Sequence, residues 1–171
     1  MRKNLRDFSG RDRIFIDANI FLHHAFDMND VSVEFLGRVE ARVVRAATSA
    51  LVLEEVFFKL LMQSASNLLH KVTVEKVAAA LKDETKRLAI AEPSVQYWKY
   101  VDGLRRSGMT VVDLKAADIA AAALLTKSAG LITADAAHLS VMKRKGIRHM
   151  ATADRDSTSP PDVSVWSPLA Q

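Results

Sequence analysis

Apolar residues run unbroken through Ile14, Phe15 and Ile16, stop at Asp17-Ala18-Asn19, and resume with helical spacing at Ile20, Phe21 and Leu22. The pattern predicts a buried strand, a sharp exit, and a helix capped by Asp17 or Asn19. From Val31 to Val44 the apolar positions Val31, Phe35, Val39 and Val43 recur every four residues, with Glu34, Arg38, Glu40 and Arg42 on other faces. That spacing predicts an amphipathic helix. Arg45 to Thr48 reads as a second short buried strand, and Thr48 or Ser49 can cap the helix that follows. That helix, Leu51 to Leu69, is unusually apolar. One face against a sheet does not consume so many apolar side chains. The helix is either sandwiched between sheet and neighbouring helices or partly turned towards a partner.

Thr73 caps a further helix to Leu81. Pro93 interrupts any long helix, Ser94 caps the next to about Ser107, and Gly108 stops it. Met109 to Asp113 is a β-branched strand, and Asp113 caps the alanine-rich helix Ala116–Lys127, which ends before Gly130. Leu131 to Asp135 is a short apolar approach to the helix Ala136–Lys145, which Gly146 stops. Arg148 to Asp154 and Val163 to Trp166 are the last strands, separated by a loop of Ser, Thr and Pro residues. Strands alternating with helices, without a repeat or linker, predict one α/β domain over residues 1–171. Its core is a parallel, doubly wound sheet of four or five short strands with helices on both faces.

Composition narrows the chemistry. The chain has no cysteine, so disulfides, thiolate metal sites and cysteine nucleophiles are excluded. The N-terminus is polar, and no uninterrupted apolar stretch approaches the ~20 residues of a membrane span. A soluble, cytoplasmic protein is expected. Lysine and arginine exceed acids by 24 to 20, a mild excess. The excess is clustered at Arg11 and Arg13, at Arg38, Arg42 and Arg45, at Arg105 and Arg106, and at Lys143-Arg144-Lys145 with Arg148. Such clusters suit phosphate backbones, or else are solvated helix faces.

Four acids share one setting. Asp17 follows the first strand, Glu55 lies early in the helix after the second, Asp135 opens a helix, and Asp154 closes the Arg148 strand. In a parallel sheet the carboxyl ends of the strands share one edge, so these side chains can converge. Converging carboxylates raise one another's pKa unless a cation compensates them. An all-oxygen set suits Mg²⁺ or Mn²⁺. The chemistry that needs such a set is phosphodiester hydrolysis, with the metal activating a water and neutralising charge on the phosphate. Glu54 projects about 100° away from Glu55 around the helix, so only one of the two faces the site. Asp118 either lines the edge of the site or is a solvated helix residue. Thr152 either bonds the acids or is an ordinary strand residue. The five histidines, His138 among them, show no ligand spacing, and packing or surface roles are expected.

The blocks that carry these acids resemble those of PIN-domain ribonucleases. Ile14 to Phe21 is similar to the family's opening, with Asp17 as its acid. Thr48 to Val56 is similar to the second block, with its glutamate on Glu55. Gly130 to Leu139 is similar to the third, with its aspartate on Asp135. Met150 to Asp156 is similar to the fourth, with Asp154 as the metal-site acid and Asp156 as an auxiliary. Ser157 stands where the family often has an aromatic, and the interval from Glu55 to Asp135 is long enough for an extra helix or two. The resemblance implies an Mg²⁺- or Mn²⁺-dependent endonuclease acting on RNA. It further implies a homodimer and, as in VapC-like toxins of toxin–antitoxin pairs, inhibition by a small antitoxin protein. A stand-alone RNA-processing nuclease and a non-catalytic RNA- or protein-binding module are the alternatives. A phospho-acceptor receiver domain fits less well, because only one acid follows the first strand.

Overall fold

The computed structural model describes residues 2–9, 11–154 and 162–170. Strand β2 (Ile14–Ile16) lies inside the sheet, and all three of its residues are fully buried. A parallel strand covered on both faces carries a continuous apolar run rather than an alternating one, which is the pattern seen here. Around it lie β1 (Lys3–Asn4), β3 (Ala46–Ser49), β4 (Thr110–Val112), β5 (His149–Ala151) and β6 (Ser164–Ser167), in the order β1-β6-β5-β2-β3-β4. Every pairing is parallel. This is the expected α/β architecture, with one strand more than predicted. β1 is two polar residues paired to Trp166 and Ser167, too short to leave a periodic signal.

Parallel neighbours need crossovers, and seven α-helices among the described residues supply them. α1 (Ala18–Ala25) and α2 (Asp30–Glu40) join β2 to β3. α3 (Ala50–Ser66), α4 (Val74–Ala80) and α5 (Glu84–Arg106) join β3 to β4, and α6 (Ala116–Ala129) and α7 (Thr133–Arg144) lead to β5. The chain steps outward from β2 to β3 and β4, then returns past β2 to β5 and β6. The direction of winding therefore reverses between β2 and β5. In such sheets the crevice at the carboxyl ends beside the reversal is the usual ligand site.

Several helix boundaries differ from expectation: α2 ends at Glu40 and leaves Val43 outside it, α3 ends at Ser66, and α7 opens at Thr133 rather than Ala136. α5 runs straight through Pro93 instead of breaking there. The carbonyl that proline leaves unbonded, one turn earlier, belongs to exposed Ala89, where water can satisfy it. The cap is Asp83, whose carboxylate accepts from the Lys86 amide at 2.9 Å, while Ser94 Oγ is buried without a hydrogen-bond partner. α6 begins at Lys115 rather than being capped by Asp113. Asp118 reaches back to the Lys115 amide at 2.8 Å, and Arg144 of α7 grips both its oxygens at 2.8 Å while donating to the Asp113 carbonyl at 2.7 Å.

α3 resolves to the sandwiched arrangement along most of its length. Val52, Leu53, Val56 and Leu60 are buried in the main core, Phe57 packs on Trp98 of α5, and Phe58 is 44% exposed. α5 is tied to α1 by Tyr97, whose hydroxyl donates to the Phe21 carbonyl at 2.8 Å. α6 is the least covered helix for its apolar content: Asp118 and Ala122 alone are buried on it, and Leu124 is 69% exposed. Among the described residues no single helix is long and apolar enough to cross a membrane.

The Asp118–Arg144 pair yields the first expectation. Arg144→Met leaves a buried carboxylate unpaired and should lower Tm, whereas adding Asp118→Asn to it should recover part of the loss. Thermal unfolding of the two variants beside wild type measures this.

Candidate functional site

Asp17 leaves β2 in extended conformation, and its amide donates to the Ala151 carbonyl at 3.0 Å, continuing the β2–β5 ladder by one bond. By position it is the N-cap of α1, yet its side chain makes no capping hydrogen bond. Its Oδ2 instead accepts from the Thr152 hydroxyl at 2.7 Å. The same Thr152 oxygen accepts from Asn19 Nδ2 at 3.3 Å and from the Asp154 amide at 3.1 Å. Asn19 Oδ1 accepts from the Ala153 amide at 2.9 Å, fastening the exit of β5 to the start of α1. Thr152, fully buried, is thus the hub that sets Asp17 and the Asp154 backbone side by side. Asn19, an expected helix cap, serves this cross-strand tie.

The other acids arrive on helices. Ser49 caps α3, its Oγ accepting from the Val52 amide at 3.2 Å, and Glu55 lies on the next turn. Glu55 is partly buried and Glu54 exposed, as the helical geometry requires. Asp135 sits in the first turn of α7, where the helix dipole favours a negative charge.

The electrostatics tie the set together. Burial pushes the Asp135 carboxyl up, and the charges of Asp17, then Asp154 and Glu55, push it further while His138 opposes them. Burial likewise raises Asp17, against the Thr152 hydroxyl and His138, with Glu55 adding to the rise. Glu55 goes the other way, down to about 2, held first by His138 and then by Lys59 against the effect of partial burial. Asp17, Glu55, Asp135 and Asp154 therefore share one electrostatic neighbourhood. Asp118 does not belong to it: its charge is neutralised by Arg144, which holds it well below the usual carboxylate range. Asp156 lies outside the described residues.

Among the described residues no three Asp, Glu or His side chains are drawn together as a finished metal cage. The donors nonetheless suit a hard divalent cation. They are carboxylate oxygens, and two of the acids are destabilised by burial and mutual charge, a penalty that a cation relieves.

Two side chains stand against the acids beyond the set the sequence pattern predicts, and one of them, His138, is also the buried packing residue expected of it. His138, one turn after Asp135 on α7, is 2% exposed, and its Nε2 lies 4.0 Å from Glu55 Oε2. Lys59, one turn after Glu55, holds Glu55 Oε1 at 2.5 Å. Three-residue and four-residue spacings from the two acids were the available signals. The remaining neighbours of the acids do not include the basic clusters. Arg13, Arg45 and Arg148 precede β2, β3 and β5, so they occupy the opposite, amino edge of the sheet. Arg38 is spent on the Arg6 and Phe8 carbonyls, and Arg105 and Arg106 pair with Asp102. The clusters do not ring the acids.

The profile of the PIN domain matches residues 14–160. No curated protein matches the sequence. Among solved structures, VapBC2 from Rickettsia felis bound to a DNA fragment from their promoter is 16% identical with a TM-score of 0.53, over 91% of this chain and 98% of that one. A toxin–antitoxin complex from Klebsiella pneumoniae is 14% identical with a TM-score of 0.53, over 92% and 99%. PAE2754 from Pyrobaculum aerophilum is 13% identical with a TM-score of 0.53, over 98% and 92%. At such identities the likeness is one of fold.

The raised acids have a consequence for stability. A carboxyl with a raised folded pKa contributes stability that is fully present below the ordinary aspartate value of 3.8 and is lost as pH rises through the folded pKa. At neutral pH the charge on Asp17 is thus a net cost in the metal-free protein. Asp17→Asn, whose Oδ1 can still accept from Thr152, should raise the metal-free Tm at pH 7. Each ~1 kcal/mol relieved would appear as about 2–4 °C in a domain of this size. The gain should vanish near pH 3, and differential scanning calorimetry at the two pH values measures it.

Proposed function

We propose that this chain, which belongs to the PIN-domain family, is a divalent-metal-dependent endoribonuclease and the toxin half of a VapBC-like toxin–antitoxin pair, acting in the cytoplasm. The observation that carries the reading is the electrostatic coupling of Asp17, Glu55, Asp135 and Asp154 at the carboxyl edge of the sheet, beside the point where its winding reverses. Such a concentration of partly buried negative charge is unfavourable for the fold alone and suits a site that takes up a cation.

Asp17, Asp135 and Asp154, with Glu55, would hold Mg²⁺ or Mn²⁺. A bound ion of this kind lowers the pKa of a water and neutralises the charge that builds on the scissile phosphate. The chain's own work is positioning. The Thr152 hydroxyl fixes Oδ2 of Asp17, and Asn19 keeps the β5 exit in register with α1. RNA is the substrate, and Lys59 is the cation placed against an acid of the site.

Two surfaces support the partner assignments. A groove lined by Leu22, Phe26, Phe58, Met62 and Val72 runs past Lys59, and Phe26 and Phe58 are 37% and 44% exposed along it. An apolar segment of a small antitoxin protein would seat there, next to Glu55. Leu124 on α6 and Ile132 just after it, each 69% exposed, are apolar side chains open to a homodimer contact.

The test of activity is cleavage of total cellular RNA. Wild type should cut in Mn²⁺ and not in EDTA, and Asp17→Asn or Asp135→Asn should reduce the rate by about 10²–10³-fold, the order of effect expected for loss of a charge-stabilising group. Full cleavage by either variant would remove the site assignment. For the dimer, Leu124→Glu should convert a dimer into a monomer by light scattering while its circular dichroism is unchanged. A wild-type monomer would refute the α6 contact. A chain that cleaves RNA but has no short reading frame encoded beside it would be a stand-alone nuclease instead.

A further inference from the structure

His138 is at odds with its surroundings. The ring is 2% exposed, tilted against Phe15 with 5.9 Å between centroids, and among the described residues neither ring nitrogen has a hydrogen-bond partner. A buried imidazole normally finds a partner for its N–H. The acid within reach is Glu55, with Oε2 4.0 Å from Nε2, about 1 Å beyond a hydrogen bond. Glu55 is meanwhile engaged on its other oxygen by Lys59, a half-exposed residue on the solvent side. The carboxylate thus stands between an outer cation that already holds it and an inner donor that lacks an acceptor.

We propose that His138 is a positioning residue for Glu55: its Nε2–H is the inner partner of the carboxylate, and Lys59 is the outer partner that competes for it. A rotation of the glutamate side chain that closes the 4.0 Å gap turns its carboxylate away from the solvent-side lysine. His138 does not itself touch substrate or metal. The neutral ring suffices, since one N–H is all the contact requires.

The inference rests on the metal-site reading above, and the test separates the two. In the metal-free, ¹⁵N-labelled protein, His138 should give an Nε2–H correlation protected from exchange. Glu55→Gln should move it upfield, and Lys59→Met should move it downfield as the inner bond shortens. Absence of that correlation, or its indifference to Glu55→Gln, overturns the proposal whether or not any metal binds. Calorimetric Mn²⁺ titration then reads the consequence. His138→Leu, of similar volume and without a donor, should weaken Mn²⁺ binding by about 10–100-fold, as loss of groups behind a metal ligand does. His138→Gln, which restores an N–H, should recover much of that loss, and Lys59→Met should tighten binding. Unchanged affinity in His138→Leu beside lost affinity in Asp17→Asn would sink the positioning role and spare the site. No Mn²⁺ binding by wild type would sink the site, leaving the spectrum to decide the His138–Glu55 bond.

Discussion

Negative charge held partly out of water at the end of β2 is the constraint to which the surrounding structure responds. An ionised carboxylate there loses hydration, the charge of Glu55 deepens the penalty, and Asp17 in turn raises Asp135. The fold keeps Asp17 in place by giving it a hydrogen bond that helix capping would otherwise have supplied. The Thr152 hydroxyl takes that role, and Asn19 and the Asp154 amide orient the hydroxyl in turn. A substitution at any of these positions therefore acts on the site through a chain of hydrogen bonds between β2 and β5, not through bulk packing.

Two devices separate charge that is needed from charge that is not. Asp118 is buried as deeply as a core residue, and the structure tolerates it because Arg144 meets both oxygens and the Lys115 amide adds a third contact. It links α6 to α7 and is silent towards the four acids. Among the described residues no cation meets Asp17 or Asp135 in this way, and the site reading rests on that difference, whereas Asp118 is a joint. The basic residues are distributed on the same logic of topology. A residue that precedes a parallel strand lies at the amino edge, so Arg13, Arg45 and Arg148 stand across the sheet from the acids.

The long stretch between Glu55 and Asp135 is used for packing. α5 closes over α3 and anchors α1 through Tyr97, which covers much of the apolar surface of α3 and leaves Phe58 open. α6 is an alanine-rich helix that helix propensity builds readily but that the rest of the fold scarcely covers.

The sequence by itself determined the parallel α/β class, the order of the elements and the four acids at strand exits and helix starts. Those features are local: a continuous apolar run for a doubly covered strand, a cap before a helix, a fixed side of the sheet for whatever follows a strand. Helical rotation allows only one of Glu54 and Glu55 to face the site, and the resemblance of the surrounding block, not the rotation, put that role on Glu55. The sequence did not reveal β1, which is two residues whose strand character comes only from pairing with β6. It placed a break at Pro93 and a cap at Asp113, where solvent at Ala89 and the reach of Arg144 decided otherwise. The roles of Asp118, His138 and Lys59 depend on which charges lie opposite them across elements far apart in the chain. Only the tertiary structure sets those distances, since electrostatic partnership depends on separation in space and on burial, and neither is written in the spacing of residues along the sequence.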